Sequence, residues 1–234
     1  MSRPGPTVRL PFGGEYRRRT RVEGPTKDNM RTLRPTLAPL LALLLLVPAL
    51  AAAPLASAQG GARAYLERRH EEVNRILRTP ANARRSQRLT RLLNELIDYE
   101  ALSRQALGEH WEAQTPEERE RFVSLLRQLV ERNYETNLER ILDYEVSYEG
   151  EQARGDRTVV TTSARSRAQR RQPPVEIAYA MVQSGGDWRV VDVTTDGVSM
   201  VQNYRSQFNR IIDREGWAEL ISRMERRLEQ GAEG

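Results

Sequence analysis

Trp188-Arg-Val-Val-Asp-Val-Thr-Thr-Asp-Gly-Val-Ser-Met-Val-Gln-Asn-Tyr-Arg-Ser-Gln-Phe208 is the stretch whose reading decides the fold. It reads as a strand over 188–194, a tight turn at Gly197 and a helix that begins at Val198. Apolar side chains point inward on both elements, and Gly197 lets the backbone turn sharply between them. No catalytic grouping accompanies the stretch. That combination points to a scaffold around an apolar interior.

Upstream of this stretch the sequence alternates with period two. Tyr144, Val146 and Tyr148 alternate with glutamate and serine, and Gly150 to Gly155 reads as a turn. Residues 157–167, with Thr158 to Thr162 at their centre, read as a second strand. Val175, Ile177, Tyr179 and Met181 alternate in a third, and Ser184-Gly-Gly-Asp187 is a hairpin turn into the strand that carries Val190. The expectation is a four-stranded antiparallel meander.

The flanking segments repeat at helical spacing. Tyr65, Leu66, Val73, Ile76 and Leu77 share one face, and Leu89, Leu92, Leu93, Leu96 and Ile97 make a clear amphipathic helix. A short helix ends at Gly108. Thr115-Pro-Glu-Glu118 has the form of a reciprocal cap, with proline in the first turn. The long helix after it carries Phe122, Leu126, Leu129, Tyr134, Leu138 and Ile141 on one stripe. Two further helices follow the meander, separated by Gly216. The fold class is α+β, with helices packed on one face of a curved sheet.

The N-terminal region has a different character. Met30-Arg-Thr-Leu-Arg34 is basic, residues 37–53 are almost wholly apolar, and Ala56-Ser-Ala58 fits a small-x-small cleavage site. This is the layout of a secretory signal peptide, and its apolar run is too short and proline-rich for a permanent span. We therefore expect residues 1–29 to be a non-native or disordered extension, 30–58 the signal, and 59–234 a single domain. Arg17-Arg-Arg19 lie too far from the apolar run to read as a folded-export signal.

Removing the leader changes the charge argument. Nine of the 37 basic and three of the 32 acidic residues lie in 1–58, which leaves 28 and 29 in the rest. Near-neutrality removes the main support for a nucleic-acid partner. The chain has no cysteine, so neither a disulfide nor a lipid-modified cysteine can form.

Chemistry-bearing residues are few. His70 sits among charged residues and reads as solvated, and His110 reads as a helix-end residue. No histidine pair has metal-ligand spacing, and no phosphate-binding or nucleophile motif appears. Asp192 is an acidic residue in an otherwise apolar strand. It could be the general base of a small cone-shaped α+β enzyme. Alternatively it faces outward or bonds backbone at the turn, which is favoured because no partner acid, base or oxyanion donor is visible. The aromatic stripe of the meander, read by itself, fits a dry core. Arg165, Arg167, Arg170 and Arg171 read as a solvated hairpin that could also meet an anionic headgroup or an acidic partner.

Several of these segments resemble a known family. Ala106-Leu-Gly-Glu-His-Trp111, Thr115-Pro-Glu-Glu-Arg-Glu-Arg-Phe122, Tyr134, Trp188-Arg-Val-Val-Asp-Val193 and Gly197-Val-Ser-Met-Val-Gln-Asn-Tyr-Arg-Ser-Gln-Phe208 are similar to the motifs of the MlaC family. The resemblance implies a periplasmic phospholipid carrier of the Mla lipid-asymmetry ABC transport system, also known as the toluene-tolerance family. Its implied partners are an inner-membrane ABC complex with a lipid-binding ring subunit and an outer-membrane lipoprotein–porin complex. It implies no enzyme activity, metal or cofactor. Family members hold the acyl chains between sheet and helices and leave the headgroup in water.

Physical chemistry agrees with such a task. Each methylene returned to water costs about 0.8 kcal/mol, so a two-chain lipid needs roughly 20 kcal/mol of compensation on leaving a bilayer. Polar headgroup contacts contribute about 1.5–3 kcal/mol each, enough to orient a lipid and not to carry it. The residues expected to line the apolar cavity are Tyr134 and Leu138 on the long helix. From the strands come Val146, Tyr148, Val160, Ile177, Tyr179, Met181 and Val190. From the helix after the turn come Val198, Val201 and Tyr204.

Overall fold

The computed structural model describes residues 61–230, apart from the side chains of residues 136–139. The expected extension and signal peptide lie outside the described residues. The helices that precede the sheet are α1 (Ala62–Leu77), α2 (Ala83–Leu96), α3 (Tyr99–Leu107) and α4 (Pro116–Asn137). Strands β1 (Tyr144–Arg154), β2 (Arg157–Ser166), β3 (Val175–Ser184), β4 (Asp187–Thr195) and β5 (Val198–Ser199) come next. Helices α5 (Met200–Glu215) and α6 (Trp217–Gln230) close the chain. The sheet order is β1-β2-β3-β4-β5, antiparallel throughout, so the fold class is α+β as expected.

The meander has five strands rather than four. The fifth is a two-residue return in which Val198 pairs with Thr195. Val198 is therefore a strand residue, not the first residue of a helix. The helix starts at Met200, with the Ser199 hydroxyl accepting from the Gln202 N–H at 3.1 Å. Asp196 and Gly197 form the intervening turn with φ of +47° and +83°. Aspartate is among the few non-glycine residues that enter this region readily. It is held there by Asp196 N–H donating to Glu176 O at 2.9 Å, while Asp196 Oδ1 accepts from Glu176 N at 3.1 Å.

Gly150 does not begin a turn. Strand β1 runs on to Arg154, and the register shifts between Tyr148 and Gly150. Glu149 is an extra residue in a β-bulge, which reverses the alternation beyond it. Glu151 consequently faces the same side as Val160, its cross-strand partner. From there its carboxylate accepts from the Arg63 N–H at 3.0 Å, at the start of α1. A negative charge at a helix N-terminus is favourable, so the bulge ties the edge strand to the first helix.

Caps fix the other helices. Thr115 and Glu118 form the expected reciprocal pair at the start of α4, with Glu118 N donating to Thr115 Oγ1 at 3.2 Å and Thr115 N to Glu118 Oε2 at 2.9 Å. Asn82 and Asp98 accept from the first turns of α2 and α3. Helix α3 ends on Gly108 at φ +59°, with the Arg205 guanidinium lying where a Cβ would stand. Ile97 and Asp98 then attach this corner to β4: Ile97 bridges Val190 in parallel, and Asp98 N–H donates to Val190 O at 3.0 Å.

Among the described residues, one apolar cluster lies against the sheet and another joins the first two helices. Ala62, Tyr65 and Leu66 of α1 pack against Val160, Met181 and Val190. Ile76, Leu77, Leu89 and Leu92 join α1 to α2, with Val73, Tyr134, Ile141 and Leu142 around them. Between α4, α5 and α6 lies an aromatic group. Phe122 meets Phe208 edge-on at 5.4 Å and Trp217 at 5.7 Å, and Tyr204 stacks on Phe208 at 5.5 Å.

Candidate functional site

The sheet register determines which side chains share a face. Residues directly opposite in antiparallel strands point the same way. Val146 lies opposite Ala164, which lies opposite Val175. Tyr148, Thr162, Ile177, Thr195 and Val198 form the next row, and Val160, Tyr179 and Val193 another. Met181 opposes Val190. All the strand residues expected to line a cavity thus stand on one face of the sheet, joined by Val198.

That face is unevenly covered. At one end Val160, Met181 and Val190 are buried beneath the first turns of α1. At the other end Ile177 and Val198 are half-buried, and Val146 is 37% exposed although it is a large apolar residue. Helix α1 therefore caps one half of an apolar surface and leaves the other half accessible.

Four ring side chains occupy the boundary between the halves. His70 of α1 lies 5.8 Å from the Tyr148 ring and 5.7 Å from the Tyr179 ring. Its Nδ1 shares a 2.5 Å hydrogen bond with the Tyr148 hydroxyl. Tyr134, near the end of α4, is close enough to Tyr179 for their phenols to interact electrostatically, as are Tyr148 and Tyr179. Burial pushes the Tyr179 phenol up to about 12 and raises those of Tyr134 and Tyr148. Burial also drives His70 down to about 4, so it is neutral at neutral pH.

His70 is thus not solvated. It is half-buried beside Tyr148 and Tyr179, a position that the charged neighbours Arg69 and Glu71 disguise. The signal was present: Leu66, His70, Val73 and Leu77 are spaced 4, 3 and 4 residues apart and continue the inward stripe of α1.

The remaining expected residues go elsewhere or lie beyond description. Val201 and Tyr204 are buried on α5, with Tyr204 in the aromatic group between the helices. Leu138 stands in the short 3-10 segment Leu138–Asp143 after α4, and its side chain lies outside the described residues.

Asp192 has a structural task. It faces the opposite side from Val190 because Val191 is an extra residue in a second bulge. Its Oδ2 accepts from the Ser199 hydroxyl at 2.6 Å and its Oδ1 from the Val201 N–H at 3.0 Å. Both oxygens hold the start of α5, which is a structural use of this carboxylate. Asp192→Ala is expected to destabilise the fold by about 1–2 kcal/mol, the cost of a lost cap, in a urea titration. Unchanged stability would reopen a catalytic role.

His110 lies 3.3 Å from Asp213 through Nε2 and belongs to the helical layer. Among the described residues no group of histidine, aspartate and glutamate could hold a metal ion, and no helix is long and apolar enough to cross a membrane. Two open grooves, of about 530 and 640 Å³, lie along α2 and against α3 and α4. Both carry polar and charged side chains such as Asn94 and Arg189, and neither is lined by the residues expected to hold an apolar ligand. Arg165, Arg167, Arg170 and Arg171 are exposed in and beside the β2–β3 connection, at the accessible end of the sheet.

Comparison with known proteins matches the chain to a family. The family described as MlaC protein matches residues 67–226. The intermembrane phospholipid transport system binding protein MlaC of Haemophilus influenzae is 23% identical over 142 residues, which cover 58% of this chain and 66% of that protein. The chain thus spans just under two thirds of that relative's length. The phospholipid-binding protein from Ralstonia solanacearum, whose structure holds a phospholipid, has a similar fold with a TM-score of 0.64 at 23% identity, over 74% of this chain and 99% of that one.

Proposed function

The chain belongs to the MlaC protein family, and from that membership we propose that it is a carrier that moves phospholipid between membranes. The observation that carries this reading is the half-covered apolar sheet face, where Val146, Ile177 and Val198 stand accessible beside the ring side chains of His70, Tyr134, Tyr148 and Tyr179. An apolar surface of this kind on a chain that travels through water is favourable only when something apolar lies on it.

The lipid's acyl chains occupy the accessible half, against Tyr134, Leu138, Val146, Tyr148, Ile177, Tyr179 and Val198. Longer chains reach Val160, Met181 and Val190 when α1 moves off the sheet. The contacts released by that movement, those of Ala62, Tyr65 and Leu66, are themselves apolar. Acyl methylenes replace them in kind, so exchange of helix for lipid is close to balanced in buried area.

The wider setting follows from the family. The chain acts in the periplasm after removal of a signal peptide. It passes lipid between the inner-membrane Mla ABC complex with its ring subunit and the outer-membrane lipoprotein–porin complex, and so serves outer-membrane lipid asymmetry. No catalysis is involved, in keeping with the use of both Asp192 oxygens in holding α5. Native mass spectrometry of the exported protein is expected to show one phospholipid per chain. Protein free of lipid, and unable to take any from vesicles, would overturn the carrier reading.

A further inference from the structure

Two stretches of the chain are rich in arginine and free of acid. Residues 73–94 hold six arginines and no aspartate or glutamate, and residues 163–175 hold four arginines and likewise no acid. They are far apart in sequence and meet at one end of the fold. Val73, Ile76 and Leu77, in the last turns of α1, cluster with Ile141 and Leu142. Just beyond these, Asp143 O accepts from the Arg167 N–H at 2.8 Å, and Tyr144 pairs with Ser166. The α1–α2 turn and the β2–β3 connection therefore both stand at the accessible end of the apolar sheet face.

Both segments are fixed rather than trailing. Arg85 donates to Thr79 O at 3.1 Å and Asn82 caps α2, which pins the α1–α2 turn. In the β2–β3 connection Gln169 N–H donates to Ser166 Oγ at 3.2 Å, and Gln172 N–H to Gln169 O at 3.0 Å. Arg78, Arg84, Arg88, Arg167, Arg170 and Arg171 are exposed on these platforms, beside the exposed Val146. Glu145 and Glu176 belong to the same end, yet they adjoin Val146 and Val175 in their strands and so point to the opposite face of the sheet. Asp143 is an acid on the rim itself.

We infer that this end is the surface by which the chain docks on an anionic phospholipid bilayer, with its arginines on lipid phosphates and its apolar face toward the acyl layer. The inference rests on the carrier reading, under which cargo is collected from and delivered to membranes. Two properties favour a bilayer over an acidic protein. Guanidinium groups match phosphate oxygens, and a bilayer offers phosphates at every position, so arginines spread over two segments need no fixed pattern of partners. An apolar patch beside a basic rim also suits an interface that is charged outside and apolar beneath.

Cosedimentation of the exported protein with vesicles is the test. Wild-type protein is expected to bind vesicles of equal parts phosphatidylcholine and phosphatidylglycerol, to leave vesicles of phosphatidylcholine alone in solution, and to be released by high salt, which screens the attraction. Each arginine near an anionic surface contributes about fivefold in partitioning, so the loss of three costs about a hundredfold. That loss is expected in Arg78→Gln/Arg84→Gln/Arg88→Gln and equally in Arg167→Gln/Arg170→Gln/Arg171→Gln. The control Arg210→Gln/Arg214→Gln/Arg227→Gln removes the same charge from exposed positions on α5 and α6 and should bind as the wild type does. Circular dichroism confirms that all three variants are folded, as expected for exposed substitutions. Wild-type binding to both kinds of vesicle alike, or an equal loss in the control, overturns the inference. So does failure of folded, lipid-loaded protein to bind the anionic vesicles, which leaves the carrier intact and makes an acidic protein the partner of this end. Exported protein that holds no lipid overturns the carrier reading instead.

Discussion

Val146→Asp and Ile177→Asp are each expected to leave the exported protein with at least about tenfold less bound phospholipid, with the fold preserved. Both residues lie on the accessible half of the apolar face, in neighbouring cross-strand rows. Val146 is 37% exposed, so a charge there meets water in the free protein and costs the fold little, within about 0.5 kcal/mol. Ile177 is half-buried and costs more. With acyl chains laid over the face, either carboxylate must be stripped of water or must displace the chains. An effective penalty of several kcal/mol is expected for such a charge, and each 1.4 kcal/mol is tenfold in affinity. Lipid extracted from purified protein and weighed against protein concentration gives the result. Glu145→Gln, on the opposite face, is the control and should retain the wild-type load. A full load in both aspartate variants would move the lipid away from this surface.

Phe122→Ala should produce the largest loss of stability among single truncations, by a mechanism unrelated to lipid. The Phe122 ring is wholly buried and touches Phe208 and Trp217 from different helices, so it joins α4 to both α5 and α6. Truncating such a ring costs about 3–5 kcal/mol through lost burial and the cavity left behind. For a domain of this size that is a fall in Tm on the order of 10 °C. Calorimetry of the lipid-free protein measures it without contributions from ligand. A drop of only a few degrees would mean that the helical layer closes around the gap, and that the aromatic group is not what holds the three helices together.

Sequence patterns made most of the framework legible because its signals are local and chemical. The Thr115 and Glu118 cap is written in four consecutive residues, and the Gly185-Gly186 hairpin in two. Helix stripes such as Leu89, Leu92 and Leu93 repeat often enough to overcome single exceptions. Alternation in the strands also put the expected residues on a common face, since register depends on a period that bulges interrupt at most once per strand pair.

What was not legible depends on tertiary geometry. Gly150 has the composition of a turn, and only pairing with Thr161 shows that the strand passes through it. Val198 and Ser199 are too few to display any period, so the fifth strand merges with the helix that follows. Asp192 reads as an anomaly until Ser199 and the Val201 N–H are brought beside it by the turn at Asp196. His70 was hidden by composition, since charged neighbours outweigh spacing when a single polar residue interrupts an apolar stripe. The closure of α1 over half of the sheet belongs to packing, and no motif announces it.

The bulge in β1 has a consequence for the crowded compartment in which a carrier would work. This strand is the long outer margin of the sheet, with eleven residues and, among the described residues, no strand beyond it. A flat margin of that length invites a second molecule to add its own strand, and so on into aggregates. The kink after Tyr148 breaks the margin into two short runs, and the exposed glutamates at 145, 149 and 151 bring negative charge to both. The same irregularity that anchors the first helix therefore disfavours edge-to-edge pairing of identical molecules.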